Sequence, residues 1–112
     1  MDLILDTSNV RFQASSEFEA RKDKDGSLRR DKSRDGNGEP LHAVQLVAWL
    51  EKGAETFLVT VATENPPKVT VGQSVTVESL QAMPWASNGA IRVAYRAKAV
   101  VPVKGSAPAP GQ

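Results

Sequence analysis

Between Ala20 and Arg34, seven basic residues (Arg21, Lys22, Lys24, Arg29, Arg30, Lys32 and Arg34) stand against three acids in a stretch punctuated by Gly and Ser. The chemistry open to such a segment is anion binding, since a Lys or Arg that meets a phosphate releases condensed counterions. A charged connection this long is uncommon between strands of a compact domain unless it is functional or disordered. The competing reading is a solvated loop kept soluble by the interleaved Asp23, Asp25 and Asp31.

The net charge of +1 conceals a segmented chain: residues 1–19 sum to −3, 20–34 to +4, 35–78 to −4 and 79–112 to +4. No acid follows Glu78, which leaves Arg92, Arg96, Lys98 and Lys104 uncompensated within that segment. If the two basic regions converge on one surface, they form the electrostatic footprint of a polyanion binder.

Other chemistries find little support. The chain has no cysteine, which excludes disulfides, thiolate metal sites and a Cys nucleophile. His42 is the sole histidine, at the start of a strand-like run, and the acids are scattered without metal-ligand spacing. No glycine-flanked serine elbow, phosphate loop or dinucleotide fingerprint occurs. The expectation is a non-enzymatic protein with no catalytic residue, metal or cofactor.

The elements that must position these charges read as strands. Residues 3–13 carry Leu3 and Leu5 on odd positions and Val10 and Phe12 on even ones, a phase change that predicts a bulge or bend. Residues 14–40 form the charged arm, with turns at Asp25-Gly26, closing a short hairpin, and at Asp35-Gly36-Asn37-Gly38. Leu41–Glu51 and Thr56–Thr63 form a hairpin turning at Lys52–Glu55, with Phe57, Val59 and Val61 on one side and Val47, Trp49 and Leu58 facing outward. Val69–Leu80 places Val69, Val71, Val75 and Val77 on one face. Met83–Gly89 reads as a loop bearing Trp85, and Asn88-Gly89 turns into a last strand, Ile91–Val103. Its odd positions are apolar and face the core, while Arg92, Arg96 and Lys98 face away. No helix is expected.

These segments predict an all-β fold: a small five-stranded OB-like barrel over residues 1–104, whose first two strands are joined by a long basic wing at 14–40. A Pro/Gly/Ala-rich tail at 105–112 is expected to be disordered. The order of residues then resembles the gene V type of single-stranded-DNA-binding protein from filamentous phages. The resemblance rests on SNVRFQ in the first strand, Gly38-Glu39-Pro40 closing the wing, Gln45-Leu46, TFLVTV, the Gly72–Val77 step, and the spaced cations ending in VVPVK. It implies that wing cations hold phosphates, exposed aromatics stack on bases, the hairpin joining strands four and five contacts a neighbouring subunit, and the protein is a two-fold dimer.

The expected function is sequence-independent binding of single-stranded DNA, with RNA left open, for replication or transfer of a phage, plasmid or other mobile element. The nucleic-acid-binding residues would be Arg11, Arg92, Arg96 and Lys98, the seven wing cations, and Trp49 and Trp85, the only two of the six aromatics expected to be exposed. The alternatives are a β-barrel adaptor whose charged arm binds a protein partner, or a structural scaffold component. No signal peptide or membrane span is read from the sequence, and a cytoplasmic homodimer is expected.

Overall fold

The computed structural model describes residues 3–7, 10–22, 24–30 and 38–103. Lys32, Arg34, the turn at 35–37 and the tail at 105–112 lie outside the described residues. The described chain is all-β, with nine strands and no helix. They are β1 (Leu3–Ile4), β2 (Arg11–Ala14), β3 (Glu19–Ala20), β4 (Leu41–Leu50), β5 (Gly53–Ala62), β6 (Ser74–Glu78), β7 (Gln81–Ser87), β8 (Ala90–Arg96) and β9 (Ala99–Pro102).

β4 and β5 form the longest hairpin, in register from Leu41↔Ala62 to Leu50↔Gly53. The turn is Glu51-Lys52, two residues tighter than the Lys52–Glu55 turn expected, because Gly53 already belongs to the ladder. β2 pairs with both β4 and β6. β8 runs parallel to β5, pairing Val59 with Tyr95 and Thr60 with Arg96, and β9 runs antiparallel to β6. β8 and β9 are two legs of one extended run, so the sheet curls back on itself through β2, β4, β5, β8/β9 and β6. This circuit is the expected small OB-like barrel.

The core follows from alternation. Phe12, Ala14, Val44, Leu46, Val59, Val61, Val75 and Val77 point inward and are buried. Phe57 packs edge-on against Phe12, with centroids 6.1 Å apart, and tilts against Tyr95 at 4.9 Å. Phe18 packs against the same core from the arm. Four of the six aromatics are thereby used in packing, leaving the two tryptophans for the surface.

Three expectations are corrected. First, residues 3–13 are not one bent strand: β1 leaves the barrel and pairs with β7. Second, only Ser74–Glu78 of the 69–80 segment is strand, and Val71, placed in a turn, is 61 % exposed instead of sharing the core with Val69. Third, the run 91–103 does not keep one apolar face inward. It slips by one residue at Ala97-Lys98, after which Val100 is buried and Val101 and Val103 are exposed.

Leu46→Ala removes a wholly buried side chain from the middle of β4. It is expected to destabilise the fold by about 2–5 kcal/mol in urea denaturation.

Candidate nucleic-acid interface

On the outside of the barrel, Arg11 of β2 lies directly opposite Trp49 of β4. Directly opposed antiparallel residues share a face with their Cβ atoms roughly 5 Å apart. Trp49 is 45 % exposed, in agreement with its outward parity. Its indole Nε1–H donates to Gln13 Oε1 at 2.7 Å, while Gln13 Nε2 donates weakly to the Gly72 carbonyl at 3.4 Å. The ring therefore leans over β2, against a groove of about 720 Å³ lined by Arg11, Gln13, Trp49, Ser74, Thr76 and neighbouring residues.

The second tryptophan is arranged likewise. Residues 81–87 form β7 rather than a loop, and Trp85 sits directly opposite Arg92 of β8. The hairpin turns through Asn88 and Gly89, both at positive φ (49° and 80°), the backbone that an Asn-Gly two-residue turn favours. Both Trp85 and Arg92 are exposed. The other side of this hairpin continues the inward parity of the barrel beyond the point where the barrel ends. Pro84, Ala86, Ile91 and Val93 consequently lie uncovered, Ile91 being 81 % exposed.

The wing is rooted in the sheet. β3 pairs with β4 through Glu19↔Ala43 and Ala20↔His42. The Arg21 amide then donates to the Leu41 carbonyl, the Arg29 amide to the Arg21 carbonyl and the Leu41 amide to the Arg29 carbonyl, at 2.8–2.9 Å. Between them a hairpin turns at Asp25-Gly26, where Gly26 takes φ 87° and Lys22 bridges Leu28. Arg30 bridges Pro40 and its Nη1 donates to the Gly38 carbonyl at 3.0 Å. The Arg21 guanidinium lies over β5, with Nη1 3.4 Å from Thr60 Oγ1, and Thr60 is the pairing partner of Arg96. The two basic regions thus meet at Thr60.

The structure brings the expected residues together unevenly. Arg21 and Arg96 are half-buried and adjoin at Thr60. Lys22, Lys24, Arg29 and Arg30 are exposed along the wing, and Lys98 is exposed at the slip in the last strand. Arg11 joins Trp49, and Arg92 joins Trp85. Gln13 and Thr60 are functional candidates that the sequence does not single out: their outward parity is legible, but not the partners that give them a role. Among the described residues no group of three His, Asp or Glu side chains could hold a metal ion, and no helix is long and apolar enough to cross a membrane.

The chain matches no protein-family model, no curated protein and no solved structure.

The wing turn carries its own titration. The Asp25 carboxylate accepts from Ser27 Oγ at 2.6 Å and from the Ser27 amide at 2.9 Å. These bonds, the hydroxyl's foremost, favour the charged form and lower the Asp25 carboxyl below its ordinary 3.8. A lowered folded value means that the turn is supported above the ordinary value and loses that support as pH falls through the folded one. The Ser27 amide resonance is expected to titrate with a midpoint below 3.8, and Asp25→Asn to abolish the transition. A midpoint at or above 3.8 would contradict this geometry.

Proposed function

We propose that this protein binds single-stranded DNA without sequence preference, protecting or organising strands during replication or transfer of a phage, plasmid or other mobile element in the cytoplasm. The observation that carries this reading is that both half-exposed tryptophans, Trp49 and Trp85, sit directly across a strand pair from an arginine, Arg11 and Arg92. An exposed ring beside a cation offers a base a stacking surface and its phosphate a counter-charge. Stacking is worth roughly 1–3 kcal/mol per base and tolerates any base, because every base has a π face. The wing cations and the Arg21–Thr60–Arg96 junction supply further positive charge. The pattern-level likeness to gene V type proteins supports the same assignment, and RNA would satisfy the same contacts.

The expected partner besides nucleic acid is a second copy of the chain. Pro84, Ala86, Ile91 and Val93 form an apolar hairpin face of the kind that monomers seldom leave open, and a two-fold dimer is the commonest way to cover one. That same face favours the second reading, an adaptor whose hairpin docks on another protein. Ile91→Lys is expected to convert a dimer into a monomer by analytical sedimentation, and a monomeric parent protein would shift weight to the adaptor.

Titration with oligo(dT) and with a matched duplex at two salt concentrations tests the main reading. Binding is expected to favour the single strand and to weaken steeply with salt. Lys22→Glu with Lys24→Glu should weaken it further and reduce the log–log salt slope by roughly 0.7 for each phosphate that is no longer neutralised. Absence of binding to either nucleic acid at low salt would overturn it.

A further inference from the structure

The groove beside Trp49 is more specific than a charged surface requires. It lies over the paired strands β2 and β6, with no wing residue in its lining, and Trp49 reaches it by leaning across β2. The indole has one hydrogen-bond donor, and that donor is committed to Gln13 Oε1 at 2.7 Å. Gln13 is itself held in the middle of the sheet: its Cα pairs with Val47 on one side and Ser74 on the other, and its amide nitrogen reaches the Gly72 carbonyl. Each end of the Gln13 amide has a partner, so the side chain acts as a strut of fixed length between the Gly72 turn and the indole. With its donor occupied, what Trp49 offers the groove is ring surface.

The rest of the lining suits one occupant. Among the described residues around the groove Arg11 is the only charged group, and it lies directly opposite Trp49. Ser74 and Thr76 supply hydroxyls, while Val10, Val75 and Val103 supply apolar surface. A space of about 720 Å³ falls within the roughly 300–1,000 Å³ typical of small-ligand pockets.

We propose that this groove receives a single base of the bound strand, turned out of the backbone path to stack on Trp49 with its phosphate at Arg11, and that Gln13 is the positioning residue that holds the indole in the stacking pose. The proposal rests on the strand-binding reading above. It makes the Trp49 end of the barrel a distinct subsite, separate from the wing, whose stacking part depends on a neutral hydrogen bond that salt does not screen.

The test uses the full chain with Trp85→Phe, which leaves Trp49 as the sole tryptophan. Oligo(dT) is expected to quench the Trp49 emission and to shield it from acrylamide. Gln13→Leu in this background should lose most of the quench and weaken oligo(dT) binding by roughly tenfold, within the range for one stacked base. The thermal unfolding midpoint controls for loss of fold. Trp49→Phe should also weaken binding, and adding Gln13→Leu to it should cost nothing more, since the strut then has no donor to hold; a merely structural Gln13 would give additive losses. If oligo(dT) binds but leaves Trp49 emission and acrylamide access unchanged, the subsite is refuted while strand binding stands. Full affinity in Gln13→Leu would refute the subsite equally, and the acrylamide measurement decides without that variant should it fail to fold. If oligo(dT) does not bind at all, the functional reading falls and the subsite with it.

Discussion

The architecture depends on two consecutive amides that serve different strands. The Ala97 N–H donates to the Thr60 carbonyl of β5 at 3.0 Å, and the Lys98 N–H donates to the Glu78 carbonyl at the end of β6 at 2.9 Å. At this joint the last long run of the chain leaves a parallel partner and joins an antiparallel one. Without the change of partner the sheet would be an open ribbon with β6 left at one edge. With it, the curled sheet closes around Val44, Leu46, Val59 and Val100. An extra residue that disrupts a ladder locally is also what re-aims side chains, and here it turns Val100 inward and Val101 outward.

Everything on the outer face inherits its position from that closure. Thr60 is beside Arg96 because β8 runs parallel to β5, and Arg21 reaches Thr60 because β3 and the wing root lie along the start of β4. The β7–β8 hairpin continues past the joint in the opposite sense, outside the barrel. Its apolar side is therefore the barrel's inner face prolonged into solvent, and its polar side carries Trp85 and Arg92. One alternation thus produces both an exposed apolar surface and a ring–cation pair, according to which face is considered.

Much of this is legible in the sequence, and the exceptions have a common cause. Val-rich alternation identifies β4, β5 and β6, and the Asn88-Gly89 and Asp25-Gly26 steps identify turns, because these signals are local. The outward parity of Trp49 and Leu58 follows from the same alternation. The slip at Ala97-Lys98 is hidden because both phases of the run AKAVVPV are largely apolar, so a one-residue change leaves no contrast to read. β7 reads as a loop because Pro84 and small residues weaken its strand signal, yet β1 accompanies it only at Gln81 and Ala82, so that at Pro84 β7 is itself an edge, where a missing ladder donor is tolerated. The Gln13–Trp49 bond spans 36 positions in the chain and belongs to the register of β2 on β4, which no short-range pattern contains.

The way the arm leaves the barrel also governs the chain's behaviour in a concentrated solution. β2 covers β4 from Leu46 to Trp49, and Ser15 and Ser16 then take over. The Ser15 amide donates to the Gln45 carbonyl at 2.8 Å, and the Gln45 amide donates to Ser16 Oγ at 2.9 Å. β3 covers Ala43 and His42, and the wing root covers Leu41. β4 therefore presents no row of open amides along this side, although three short segments rather than one strand accompany it. An uncovered ten-residue edge is the usual template for strand-to-strand aggregation. By folding its first turns back along β4, the charged arm denies that template to other chains.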